Sequence, residues 1–285
     1  MAYRFRKSEG LGVGTRRIAR ELVDHAVKIA ESSSLPTETQ THEARKAVKK
    51  LRALLRLVRP AIETASNYKK SDKALRDAAR VLSDLRDDDV MKSTLTELVD
   101  ATDGARTLAK TSKITKALAT ADGQANGSDR RAALREYARR MQEIRAGIDE
   151  WNFTDRSLGG LEAGYKATFR RSRKLMRKAL ESPTDRRFHA WRKEVKYHHY
   201  HARLLANLRG APMHKRSRIT GELQERLGQH HDLAVLRKRL DASKKLRKSD
   251  AASQVRKRVK REIREIVAGA EAMGREILSD DAKLH

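Results

Sequence analysis

Six side chains between His42 and Arg56 have the types and the spacing to hold an oxyanion. On a helix turning about 100° per residue, His42, Arg45, Lys49, Arg52 and Arg56 share one arc, with Lys46 just across. Arginine offers forked donors to an oxyanion, lysine a point charge, and histidine one N–H when neutral and two when protonated. The other arc carries Ala44, Ala47, Val48, Leu51, Leu54, Leu55 and Val58. One face can therefore be buried while the other presents a cation at each turn. That array matches a linear chain of negative charges, although a single basic helix face is most often just solvated.

The pattern returns later in the chain. His42-x-x-Arg45-Lys46-x-x-Lys49 recurs as His189-x-x-Arg192-Lys193-x-x-Lys196, an offset of 147 (189 − 42). His199 then stands opposite Arg52, Arg203 opposite Arg56, and Leu204-Leu205 opposite Leu57-Val58. The preceding helices align at an offset of 150, Arg16 with Lys166 and Arg20 with Arg170, and the three-residue difference falls in a loop, where length changes are tolerated. Asp87-x-x-Val90 is echoed by Asp232-x-x-Val235. The chain reads as one helical unit written twice, about 1–150 and 151–285. Two such units are expected to pack about a pseudo-twofold axis, with the two basic strips facing each other or a shared groove. In that register Lys50, matched by Tyr197, and Arg59, matched by Ala206, fall outside the ligand wall.

The elements that must carry these strips are helical. The 285 residues include only four Pro and 15 Gly, with much Ala, Leu, Arg, Lys and Glu, which points to an all-α fold. The periodicity predicts helices over 12–31, 41–59, 71–85, 90–100, 105–121, 129–150, 158–180, 186–208, 214–227, 231–246 and 250–278. Lys and Arg number 65 against 38 Asp and Glu, a formal charge of +27 spread along the chain. Self-repulsion on that scale argues for an anionic partner and a charged folded surface. Cysteine is absent, which excludes disulfides and thiolate metal sites. No apolar run reaches the roughly 18–20 residues of a membrane span. Residues Met1 to Gly14 hold no hydrophobic signal region. The expectation is a cytoplasmic protein without a membrane partner.

Several residues invite sharper readings than they support. His198 and His201 align with Leu51 and Leu54 and are read as packing residues, as is Trp191; His25 is read as structural or surface. His230-His231-Asp232 suggests a metal, but neighbouring helical residues diverge by about 100°, so a cap or turn is expected. Asp87-Asp88-Asp89 could hold Mg²⁺, yet its place at a predicted helix break favours capping.

The duplicated H-x-x-R-K-x-x-K strips, with R-D-x-D-V after the first and L-G-x-x-x-D-L-x-V-L after the second, resemble the CHAD domain, the conserved histidine α-helical domain, over about residues 10–280. The resemblance implies two helical bundles related by pseudo-twofold symmetry around a basic central groove or pore. It also implies non-catalytic binding of inorganic polyphosphate and association with polyphosphate granules. Carried over by position, the ligands are His42, Arg45, Lys46, Lys49, Arg52, Arg56, His189, Arg192, Lys193, Lys196, His199 and Arg203. The first helix of each unit adds a second set, Arg16, Arg20, Lys166, Arg170, Arg173 and Arg177. His199 departs from the arginine usual at its position, and the Glu-x-Glu-x-Lys hydrolase-like domain of some relatives is not seen. No catalytic residue, cofactor or metal is expected. Two alternatives stand beside this reading. One is a basic nucleic-acid-binding protein, disfavoured by 4% aromatic content and by the lack of a recognition signature, which leaves non-specific contact only. The other is a metal-dependent polyphosphate hydrolase, disfavoured because the acidic clusters do not interleave with the strips.

Overall fold

The computed structural model describes residues 3–82, 94, 95, 98, 114, 127–154 and 158–278. Among them run nine α-helices: α1 Leu11–Ala30, α2 Thr37–Val58, α3 Ala65–Val81, α4 Gly127–Ala146, α5 Gly160–Glu181, α6 Asp185–Arg209, α7 Ala211–Ala242, α8 Lys244–Arg247 and α9 Asp250–Leu278. Short 3₁₀ turns follow α2 and α4, at Arg59–Ala61 and Gly147–Glu150. The only extended pairing among the described residues is an isolated antiparallel bridge, Ile62 with Phe153. None of these helices is long and apolar enough to cross a membrane. The expected breaks and helices over 83–93 and 99–113, and the turn-rich stretch 115–126, lie outside the described residues, as does the Asp87-Asp88-Asp89 cluster.

Helix ends explain how the strips are set in place. The four terminal carbonyls of a helix need outside donors. For α1 these come from Gln40 on the first turn of α2, whose amide nitrogen donates to the carbonyls of Ile29 at 3.0 Å, Ala30 at 3.2 Å and Ser32 at 2.7 Å. That clamp fixes the α1–α2 hairpin just ahead of His42. α6 is capped by Thr184, whose hydroxyl accepts from the Arg187 amide at 3.3 Å. Two predicted boundaries move. α3 begins at Ala65 rather than Ser71, because Tyr68 on its first turn packs under the Arg59 guanidinium, 4.9 Å from the ring centre. The predicted break at 228–230 is absent: α7 runs unbroken to Ala242, with His230-His231-Asp232 inside it rather than at a cap, and the chain breaks instead at Ser243, ahead of α8. Gly228 costs such a helix about 1 kcal/mol relative to alanine. Burial of Leu223, Leu227, Leu233 and Leu236 on both sides of it outweighs that, each burial stabilising by about 1.5–3 kcal/mol.

α1 packs on α2 and α4, and α3 on α2 and α4; in the second half α5 and α7 pack on α6, α8 and α9 on α7, and α9 also on α5. The connector between halves is laid beside the α2–α3 junction by two backbone hydrogen bonds, Glu63 to Asn152 at 3.0 Å and Thr154 to Ala61 at 2.9 Å. The core does not divide at the connector. Leu161, Tyr165, Tyr197, Tyr200, Leu204 and Leu205 from the second half sit in the same apolar cluster as α1, α2 and α4. Conversely, Leu95, Leu98 and Ile114 from the first half pack with Leu233, Leu236 and Val259.

Candidate functional site: two cationic helix faces in contact

The apolar arc of α2 is buried as predicted, with Ala44, Ala47, Val48, Leu51, Leu54, Leu55 and Val58 all in the core. Ala53 and Leu57 are buried too, although the helical wheel puts Ala53 among the cations and Leu57 beside them. The reason is that the second half docks there. His201 on α6 donates from Nε2 to the Ala53 carbonyl at 2.8 Å. Gly164 on α5 lies so close to α2 that a Cβ at that position would fall 1.8 Å from the Leu57 carbonyl oxygen. The fold thus sets the cation-bearing side of α2 against α5 and α6.

The two strips meet at the C-terminal end of α2 and the N-terminal end of α6. Arg56 reaches across to Glu194, Nη2 to Oε1 at 3.3 Å, and stacks its guanidinium 4.2 Å from the Tyr197 ring centre. Arg171 of α5 holds the same carboxylate oxygen at 3.1 Å. Arg52 lies beside them and donates from Nε to Asp72 at 2.8 Å. The Lys193 ammonium is held below its ordinary value, first by desolvation and then by Arg52 and Arg56. At the other end of the same crossing, burial and then Arg203 and Lys46 push Lys50 in the same direction. Lys50 therefore belongs with the cations that the alignment placed it outside. Arg59 remains at the edge, over Tyr68.

The remaining strip residues spread along the two helices. His42 and Lys46 both approach Glu43, at 3.8 and 3.1 Å, and stay substantially exposed. Arg45 donates to the Leu82 carbonyl at 2.8 Å, tying the strip to the end of α3. Lys49 is half-buried on the same face. On α6, His189 meets His231 of α7, Nδ1 to Nδ1 at 3.4 Å. Arg192 crosses α7 at Gly228, where a Cβ would stand 3.3 Å from its guanidinium. Lys196 lies within electrostatic range of His189, His199 and His231. His199 donates from Nδ1 to the Ser217 carbonyl at 2.9 Å, and burial draws it to about 4. His231 is also drawn to about 4, by burial first and then by Arg192 and His189. Both imidazoles are neutral at neutral pH, and His199 spends its one N–H on the Ser217 carbonyl. Arg203 keeps its exposure and lies over Tyr3, 5.9 Å from the ring centre.

The second set does not join this wall. Arg16 donates to the Trp151 carbonyl at 2.7 Å and Arg20 pairs with Asp149, so both are held by the connector. Lys166 pairs with Glu162 one turn back on α5. Arg170, Arg173 and Arg177 line a cleft between α5 and α9. The sequence reading misses Glu194 and Arg171 at the wall, takes Tyr197 only as the match of Lys50, and takes His231 as part of a cap or turn. Arg171 sits in an Arg-Arg-Ser-Arg-Lys run whose facing is set only by how α5 crosses α6. Glu194 stands at the position that the 147-residue offset matches to Ala47, and no periodicity flags it. Among the described residues no group of three or more His, Asp and Glu is placed to hold a metal ion.

A family model described as the CHAD domain matches residues 17–241. The chain belongs to the CHAD domain family. Its fold is also that of a solved CHAD domain, from the plant Ricinus communis, with a TM-score of 0.67 over 98% of this chain and 95% of that one. At 16% identity that likeness speaks for the fold alone. No curated protein matches the chain. Within this CHAD domain, the α2–α6 crossing gathers Arg52, Arg56, Lys193 and Arg171 at one end and Lys46, Lys50 and Arg203 at the other. Neutral histidines and forked guanidinia extend the row toward α7. Such a surface can neutralise and orient a multiply charged oxyanion.

Proposed function

We propose that this CHAD-domain protein binds inorganic polyphosphate along the α2–α6 crossing, without chemically altering it. One observation carries the reading. Residues 138 positions apart, Arg56 and Glu194, stand 3.3 Å apart, which sets Lys193 beside Arg52 and Arg56, where burial first and then their charges hold the lysine low. Holding cations together costs stability, and an anion relieves that cost. A polyanion without bases suits the surroundings. Tyr197 is buried beneath Arg56, and Tyr3 and Tyr200 are buried as well, so none of them presents a face on which a base could stack.

The proposal includes the duplicated architecture and the shared central groove. The 147-residue offset sends the Arg56–Lys193 neighbours onto Arg203 and Lys46. Lys50 lies within electrostatic range of both of those residues. An approximate twofold relation between the strips predicts such a correspondence. Association with polyphosphate granules and a cytoplasmic location complete the reading. A fluorescent fusion that stays off granules in a polyphosphate-accumulating cell would remove the granule part.

The deciding experiment is a titration of the full chain with long-chain polyphosphate at several salt concentrations, with duplex DNA as competitor. Counterion release makes the affinity fall linearly in log–log form with salt, by analogy with nucleic acids. Polyphosphate at equal phosphate concentration displaces DNA and not the reverse. Equal affinity for DNA would favour the nucleic-acid reading. Release of orthophosphate in the presence of Mg²⁺ or Mn²⁺ would overturn the non-catalytic part.

A further inference from the structure

α5 carries exposed cations on more than the side that faces the α2–α6 crossing. Arg171 points to Glu194 and the wall. Taking Arg171 as zero, Lys174, Arg170, Arg177 and Arg173 follow around the helix over roughly 160° at steps of about 20–60°. All five are exposed. The far members of this row, with Lys174, open into the cleft between α5 and α9, about 920 Å³ in volume. Arg275 of α9 adds a cation from the facing side, and Met176, Leu180 and Leu278 form the floor. Among the described residues the carboxylates at the cleft are Glu181, 3.5 Å from Arg177, and Glu271, 2.7 Å from Arg275, so cations outnumber them there.

We infer that the α5–α9 cleft is a second seat for a condensed phosphate, separate from the α2–α6 wall and joined to it by the cations that wind around α5. This rests on the polyphosphate reading of the wall and adds to it. The path between seats is short: half the circumference of a helix about 10–12 Å across. A chain longer than that path occupies both seats at once, and its second contact becomes intramolecular. A short oligophosphate fills the seats separately. The protein is therefore selective for chain length through the spacing of two sites, with no cavity that measures the chain.

Calorimetric titration of the full chain with tripolyphosphate and with long-chain polyphosphate tests this. The wild type is expected to take two tripolyphosphates per chain. The variant Arg170→Gln/Arg173→Gln/Arg177→Gln takes one, and its long-chain affinity falls about 100-fold through loss of the linked second contact. Lys46→Gln/Lys193→Gln, at the other seat, also takes one. A wild-type stoichiometry of one, which needs no variant, would overturn the inference. So would a triple variant of native helicity whose long-chain affinity stays within about twofold of wild type. Failure of the wild type to bind long-chain polyphosphate at all is a different result, and it would overturn the reading of the wall itself.

Discussion

Arg56 and Glu194 stand 3.3 Å apart across the contact between α2 and α6, and the carboxylate is 2% exposed. Its other oxygen, Oε2, is buried without a hydrogen-bond partner, while Arg171 shares Oε1 from a third helix. A buried negative charge therefore sits between Arg56 and Arg171, beside Lys193. Removing one partner of a buried pair is costly because the other charge is left behind. Glu194→Gln is expected to lower stability by about 2 kcal/mol, less than a fully buried pair because Arg171 is largely exposed. Polyphosphate binding should tighten and its salt slope steepen, since one competing anion is gone. Urea unfolding with and without polyphosphate measures both effects, and an unchanged midpoint with unchanged affinity would count against this role.

Lys193 predicts opposite signs for stability and binding. Its ammonium is crowded by Arg52 and Arg56. Lys193→Met keeps the stem and removes the charge, so stability should rise by a few tenths of a kcal/mol, discounted for the residue's exposure. Polyphosphate affinity should fall. The stability gain should shrink as salt is added, because screening already relieves the repulsion. Thermal melts at low and high salt beside a binding curve decide it; a loss in both quantities would mean that Lys193 packs rather than repels.

Acid sensitivity should come from the histidines. His198 is buried against Tyr165 and Phe169, 5.0 and 5.7 Å between ring centres, and neither ring nitrogen has a hydrogen-bond partner. Burial holds it well below its ordinary 6.5, and His199 at about 4 and His201 at about 3 shift the same way. The unfolded chain takes protons below about 6.5 where the folded chain does not, so stability is full above that pH and is lost as pH falls toward 4 and then 3. His198→Leu, the residue at the aligned position 51, should stabilise by about 1 kcal/mol at pH 7. The gap over wild type should widen at pH 5. A gap that narrows on acidification would show that His198 is protonated in the folded state.

Gly164 is the closest approach of α5 to α2. A methyl group there meets the Leu57 carbonyl oxygen, a backbone atom that cannot swing aside. Gly164→Ala should cost about 3 kcal/mol or more, at the upper end of overpacking effects. It should also weaken polyphosphate binding by spreading the wall, without touching a cation. Chemical denaturation and a binding curve on the folded fraction test this; wild-type values for both would mean that the crossing can shift freely.

The helices α1, α2 and α9 are legible because their apolar arcs are long and regular, and α6 because Pro183 and Gly210 bracket it and the basic strip recurs within it. The alignment with Leu51 and Leu54 places His198 and His201 in the core, and the apolar arc of its own helix places Trp191 there; all three are buried. The break expected near His230 does not occur, because contacts to α6 and α9 hold α7 through the local Gly-Gln-His-His-Asp punctuation. At the site, the strips themselves could be read, since types and spacing lie on one helix. Which cations meet could not. Arg171 and Glu194 enter through the angle at which α5 and α6 cross α2, and crossing angles depend on packed side chains from distant segments. Arg16 and Arg20 show the converse, being well placed by alignment and yet taken up by the connector.

The apolar clusters that ignore the connector set the order in which the molecule can be made. A ribosome that has released residues 1–150 has produced α1 to α4 but not Tyr165, Tyr197, Tyr200 or Leu204, which complete their core. Domains generally fold as units during synthesis, amino-terminal first. Here the nascent first half must wait, basic and incompletely packed, for α5 and α6 to emerge. Polyanions already in the cell, nucleic acids among them, would meet its exposed cations before the second strip exists to compete for them.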